Sequence, residues 1–189
     1  MRPGAGSLLI SSATLVDPNF ARSVVLMLDS DPLGGALGVI LQRPSETPVV
    51  EVLPGWEDMI TEPPVLFVGG PVSLDSALGV GLLRDDREPV TGWRTLTDTP
   101  AGAIGMVDLD SSPEDLVGHL AALRIYAGYA GWGAEQLEGE IEEGSWYVVP
   151  AAPADLFSRH PERLWLDVLR RQPAPLSMLA TMPTDANLN

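Results

Sequence analysis

Short apolar runs, most of them broken by glycine or proline, set the rhythm of this 189-residue chain. Runs of this length bounded by turn residues predict strands rather than helices. The first, "SLLISSATL" (7–15), is followed by a loop, "VDPNFAR" (16–22), with Asp17-Pro18 as its turn signal. "SVVLML" (23–28) and "ALGVIL" (36–41) predict two strands, and the "DSDPLGG" between them suits a hairpin loop. "RPSETP" is expected to break the sheet, and "VVEVLPGWEDMI" fits neither period because Pro54-Gly55 divides it. "PVLFVGGPV" predicts a strand ending in a glycine turn, and "ALGVGLL" and "AIGMVDLD" predict two more.

Helical spacing enters in the second half. "SSPEDLVGHLAAL" predicts a helix with Ser112 as N-cap, Pro113 in the first turn and a buried stripe of Leu116, Leu120 and Leu123. "RIYAGYAG" predicts a strand, "GAEQLEGEIEEG" a helix ended by Gly144, and "SWYVV" another strand. "PERLWLDVLRR" predicts a last helix, with Leu164, Trp165, Val168 and Leu169 turned inward. The tail after Arg171 has no period and is expected to be mobile or loosely draped. No internal repeat or linker divides the chain. Strands first and interspersed helices later predict an α+β domain rather than regular βαβ winding.

Composition narrows the chemistry. Hydrophobic residues make up 45% and charged ones 20%, as in a globular protein with one sizeable core. No apolar run approaches the roughly 20 residues that span a bilayer. The N-terminal stretch is a poor signal peptide, so a cytoplasmic location is the expectation. Cysteine is absent, which excludes disulfides and thiolate chemistry. Lysine is absent too, and all 11 basic residues are arginines. Schiff-base chemistry and a P-loop are thereby excluded. The formal charge of −15 disfavours nucleic acid as a partner, because phosphate-backbone binding depends on displacing cations.

Each candidate site competes with a structural reading. In "GYAGWGAEQLEGEI" (128–141) the glycines predict a strand-to-helix corner seated by Trp132, and only secondarily a ligand-facing turn beside Tyr129. Gln136 and Glu140, four apart, share a helix face that reads as solvated. "VGGPVSLD" (68–75) is a tight turn at Gly69 and Gly70, with Asp75 either capping the next segment or facing a cleft. Asp108 and Asp110 alternate along a predicted strand, where they share one face and could hold a hard cation or stand in water. His119 and His160 lack metal-ligand spacing, and no metal or other cofactor is expected. No G-x-S-x-G elbow is present. Arg159, Arg163, Arg170 and Arg171 are interleaved with Glu162 and Asp167, which predicts a mixed-sign surface.

Taken together, "LLISSATLVDPNFARSVVLML", "GALGVILQRP", "VLFVGGPV" and "GYAGWGAEQLEGEI" followed by "SW" resemble the YqgE/AlgH family of bacterial proteins. The resemblance runs from about Gly6 to Arg171, leaving a short leader (1–5) and the tail (172–189) outside it. It implies one α+β domain whose bifurcated β-sheet curls into a pseudo-barrel with helices packed outside. It implies no established reaction, cofactor or catalytic residue; one branch carries a label of transcriptional regulation of alginate synthesis. The chain departs from the family pattern at Ser12-Ala13-Thr14 (often "AMP") and Asp29-Ser30-Asp31 (often "C-E-H"). Gln42 stands where "NRP" has asparagine, and Glu135 where "GAGQLE" has its second glycine. The motif polar residues kept here are Asp17, Arg22, Arg43, Gln136 and Glu140. With the two glycine turns they are the candidate ligand-binding set.

Three functions follow as expectations. The first is a non-enzymatic binding or regulatory protein recognising a small ligand or a protein partner. The second is an enzyme using carboxylates drawn from Asp108, Asp110 and Glu140 as acid and base or as metal ligands. The third is a DNA-binding regulator, which the charge makes the weakest. Oligomeric state is not legible in the sequence.

Overall fold

The computed structural model describes residues 3–31, 33–84 and 90–181. Strand β1 (Ser7–Ser11) runs antiparallel to β2 (Val24–Asp31), which forms the expected hairpin with β3 (Gly35–Ile40). An irregular strand β4 (Pro44–Pro48) leads to a one-turn helix α1 (Val49–Val52), then to β5 (Val65–Val68). The long β6 (Val72–Leu83) precedes β7 (Trp93–Thr99), β8 (Gly102–Val107) and β9 (Leu120–Trp132). Helix α2 (Gln136–Glu142), β10 (Trp146–Pro150), α3 (Pro153–Leu156), α4 (Leu164–Arg170) and α5 (Leu176–Leu179) complete the chain. The main strand order is β10-β1-β2-β3-β9-β6-β8-β7, with β4 and β5 branching off it.

The sheet curls without closing. Arg94 of β7 reaches back to donate to the Leu28 carbonyl of β2 at 3.5 Å. Gly6, just before β1, sits so tightly against β7 that a Cβ there would lie 2.5 Å from Thr97 Cβ. Side-chain and van der Waals contacts, not a hydrogen-bonded ladder, bring β7, one end of the sheet, against β2 and the segment before β1.

Burial on both faces explains the unbroken apolar runs. Leu8, Ile10, Val24, Leu26 and Leu28 point into one core with α4 and α5, while Leu9, Val25 and Met27 point into another that α2 covers. A third cluster, around Leu83, Val107, Leu123 and Ile125, fills the β6–β8–β9 part of the sheet.

Four sequence expectations need correction. Residues 112–123 are not a helix. Pro113–Asp115 make a single 3₁₀ turn, Gly118 reverses the chain at φ 88°, and β9 starts at Leu120. Leu116, Leu120 and Leu123 do share one core, so their spacing reported burial correctly and the period wrongly. Asp108 and Asp110 follow β8 instead of alternating along it; Asp108 Oδ1 accepts the Asp110 amide at 3.0 Å in a turn. "RPSETP" does not leave the sheet but forms β4, whose prolines fit an irregular two-point pairing with β5. Lastly, 172–181 is packed, with Ala180 buried in the core and Leu176 and Leu179 half-buried against it beside α4; 182–189 lies outside the described residues. β7 carries no expectation at all, since threonine-rich "TGWRTLTDTP" lacks an apolar run.

Candidate functional site

The two glycine turns meet. β9 pairs with β3 at Ala36↔Trp132, Leu37↔Gly131 and Gly38↔Ala130. Past that point the chain after β5 wedges between them. Ile40 N donates to Gly69 O at 2.7 Å, and Gly69 N to Ala127 O at 2.9 Å. This is the fork of the sheet, and glycine makes it possible. A Cβ on Gly69 would lie 2.3 Å from Gly128 O, and one on Gly70 would lie 2.1 Å from the Tyr129 carbonyl carbon. Gly128, at φ 71°, faces the carbonyls of Gly70 and Val72. Both bends therefore serve close backbone approach and lie in direct backbone contact with each other.

The strand-to-helix corner lies further on than the glycines suggest. Gly128 and Gly131 belong to β9, and the chain turns at 133–135. Glu135 holds the left-handed conformation there, φ 61°, where the family pattern has a glycine.

Glu140 is not a solvated helix residue. Its Oε2 accepts both the Trp132 indole N–H at 3.0 Å and the Trp146 indole N–H at 2.8 Å. Its Oε1 accepts Gln136 Nε2 at 2.9 Å, while Gln136 Oε1 accepts the Gly133 amide at 3.0 Å. One carboxylate thus ties α2 to β9 and β10. Phe20, from the loop after β1, stacks on Trp132 with centroids 5.8 Å apart and meets Trp146 edge-on at 5.5 Å. The sequence reading missed Phe20 and Trp146; the shared carboxylate needs two indoles, a requirement that spacing along one helix does not reveal.

The same loop carries the next candidates. Asp17 is exposed, and its Oδ1 accepts the Asn19 amide at 2.7 Å. Arg22, with φ 52°, holds its guanidinium 5.9 Å above the Trp165 ring. Gln42 pins this loop to β3: Nε2 donates to Arg22 O at 2.6 Å and Oε1 accepts Val24 N at 2.9 Å. Arg43 follows, half-buried, and its carbonyl accepts Val68 N at 2.8 Å. Burial depresses the Arg43 guanidinium below its usual range, and the Asp17 charge opposes that shift. Among the described residues the guanidinium donates no hydrogen bond. Asp75 stands apart, exposed in a bulge where residues 73–76 oppose Gly128 alone.

The carboxylates of the enzymatic reading do not converge. Val107, beside Asp108, pairs with Gly79, which pairs with Ile125 on β9. Trp132, which contacts Glu140, is further along β9 by on the order of 20 Å at ~3.3 Å per residue. No group of three or more acidic or histidine side chains able to hold a metal occurs among the described residues.

A buried cation also escaped the sequence reading. Arg124, 1% exposed, has no carboxylate partner among the described residues. It donates to the carbonyls of Leu156 at 2.8 Å, Glu62 at 3.0 Å and Ser158 at 3.1 Å, and its guanidinium lies 4.2 Å over the Phe67 ring. Arg124 Nε and the Tyr126 hydroxyl are both buried without a hydrogen bond among the described residues, and the two side chains interact electrostatically. The arginine inside "LRIYAG" is the signal that was available: a charge in the middle of a strand buried on both faces.

These features define a single-domain α+β protein with a curled, open sheet that forks where β5 branches from the main strand order. Residues 8–177 match the AlgH-like family model (DUF179), and the chain belongs to that family. A UPF0301 protein of Streptomyces avermitilis is 53% identical over 188 residues, covering 97% of this chain and 94% of that one. A UPF0301 protein of Mycobacterium tuberculosis is 47% identical, covering 100% and 92%. Among solved structures, a Corynebacterium diphtheriae protein superposes with a TM-score of 0.89 at 33% identity, covering 96% of this chain and 94% of that one. The solution structure of the AlgH protein from Pseudomonas aeruginosa gives 0.66 at 26% identity, covering 98% and 100%. No helix of the described chain is long and apolar enough to cross a membrane.

Proposed function

We propose that this is a non-catalytic binding protein of the cytoplasm, with a regulatory role, which recognises a small ligand or a protein partner beside the sheet fork. One observation carries the reading. Arg43 is half removed from water, next to the loop bearing Asp17 and Arg22, yet its donors are not spent on described groups. Desolvating a guanidinium without replacing its hydrogen bonds is unfavourable, and a ligand with oxygen acceptors would supply them. Asp17 beside it favours a ligand that also carries a donor. Glu140, Gln136, Trp132 and the glycines then act as the frame that fixes this surface, and Tyr129 lies half-buried on the same strand. A carboxylate-based enzyme loses support from the separation of Glu140 and Asp108.

Thermal-shift screening of metabolite panels, with an affinity pull-down in parallel, tests the proposal. Saturating ligand at about 100 times its Kd stabilises by about 2.7 kcal/mol. An Arg43→Gln variant is expected to lose that shift while keeping its unliganded melting temperature. Empty results from both screens would end the proposal.

A further inference from the structure

A second surface lies away from the fork, where β8 stops. β8 pairs with β6 only from Gly79 to Leu83, so Ala77 and Leu78 have β9 on one side and no ladder partner on the other among the described residues. In the line that β8 would have continued there is an open groove of ≈340 Å³, walled by Leu53, Ala77, Leu78 and Leu109, with Asp108 and Asp110 at its rim. A second groove of ≈360 Å³ adjoins it across Val107 and Asp108 and reaches Trp93. The two share Val107 and Asp108; the first has the apolar walls and the carboxylates, while the second is mixed, with Trp93 and Met106 beside Arg94, whose guanidinium is turned to the Leu28 carbonyl.

The paired grooves have a fixed character. The Trp93 ring lies on a glycine floor, since a Cβ on Gly105 would come within 2.4 Å of its Cζ2 and one on Gly81 within 3.1 Å of its Cζ3. Asp108 is held by its own turn, Oδ1 accepting the Asp110 amide at 3.0 Å, and Oδ2 takes no part in that hydrogen bond. Ala77 is exposed although it lies in a strand. No arginine lines the first groove.

We propose that these grooves receive an extended segment of a partner protein, a basic residue flanked by apolar ones, laid along the open edge of β6 in the path that β8 vacates. The unpaired edge supplies backbone hydrogen bonds, as in strand addition. The grooves take the apolar side chains, and Asp108 with Asp110 takes the cation. The formal charge of −15 steers a basic segment toward the chain.

The test is a display selection of random linear peptides on the intact protein, with the winners remeasured by fluorescence anisotropy. Expected are peptides with arginine or lysine between apolar residues, binding more weakly as salt rises. Asp108→Asn keeps the Oδ1 acceptor of the turn and removes the charge; it should weaken binding about three- to tenfold. Ala77→Arg, at an exposed position, should block the groove and lose binding, with its melting temperature checked. Arg43→Gln should leave peptide binding unchanged, which separates this surface from the fork. Failure to enrich any peptide, enrichment of acidic or unpatterned ones, equal binding by Asp108→Asn and Ala77→Arg, or loss of binding in Arg43→Gln would each overturn the proposal.

Discussion

Glu140 organises its surroundings because a carboxylate offers several acceptor sites and the neighbouring groups are all donors: two indoles and a carboxamide. Replacing it with alanine strands two indole N–H groups of largely buried tryptophans, and should cost about 1–3 kcal/mol in chemical denaturation. Glu140→Gln keeps one oxygen for the indoles but turns an NH2 toward Gln136 Nε2. Gln136 can flip only by giving up the Gly133 amide, so the glutamine variant should fall between wild type and alanine. An alanine variant as stable as wild type would refute this role. Tyr126 presents the opposite case, a buried hydroxyl that makes no hydrogen bond among the described residues. Burial pushes its pKa up, with the Arg124 charge opposing. Because the folded value is above the unfolded one, the unfolded chain loses this proton first as pH rises. Stability should therefore be flat in this respect below pH ~10 and decline above it. Tyr126→Phe should flatten the alkaline limb and be neutral to stabilising by up to about 1 kcal/mol, since it removes an orphaned polar group. Urea midpoints measured across that range decide the matter.

Among the elements, those legible from sequence are those whose signal is local. The β2–β3 hairpin declares itself by two apolar runs around a Pro-Gly loop, and α2 by Gly144 and its periodic leucine and isoleucine. β9 was half hidden because Leu116, Leu120 and Leu123 fit a helical stripe by coincidence. What overrode that pattern is tertiary pairing: Leu123 sits opposite Gly81, and Leu120 opposite Leu83. The fork was legible only as two glycine turns, since nothing in sequence says that Gly69 will lie against Gly128. That contact makes sharp demands. Gly70→Ala should destabilise severely, by about 3 kcal/mol or more, because its Cβ would overlap backbone that cannot retreat without breaking β9. At the β9–α2 corner the sign reverses. Glu135 occupies a left-handed conformation that costs an L-residue roughly 1–2 kcal/mol, and its side chain makes no hydrogen bond or ion pair among the described residues to offset that. Glu135→Gly should gain about 0.5–1 kcal/mol, read as a higher melting temperature with unchanged near-UV circular dichroism.

For the molecule as a whole, the missing lysine and the acidic surplus are linked through what the arginines do. Arg124 is withdrawn into the core, where one planar fork satisfies three carbonyls that a lysine could not reach together. Arg171 binds Asp155 and the Pro150 carbonyl, Arg84 the Leu120 carbonyl and Arg94 the Leu28 carbonyl. Arginine here joins segments of the fold, and Arg170 is matched by Asp167. With five of the described arginines engaged in this way and 26 acidic residues against 11 basic ones, duplex DNA should not bind even at low salt, where such binding is strongest. The same imbalance makes the folded chain repel itself, because compaction brings like charges together. Screening should relieve that repulsion: raising ionic strength from about 0.01 M to 0.15 M shortens the Debye length from about 30 Å to 8 Å. A gain of about 1 kcal/mol, or ~2–4 °C in melting temperature, is expected, equal for sodium and potassium chloride. A melting temperature that falls with salt would mean that attractive ion pairs, not surplus acidity, dominate the electrostatics of the fold.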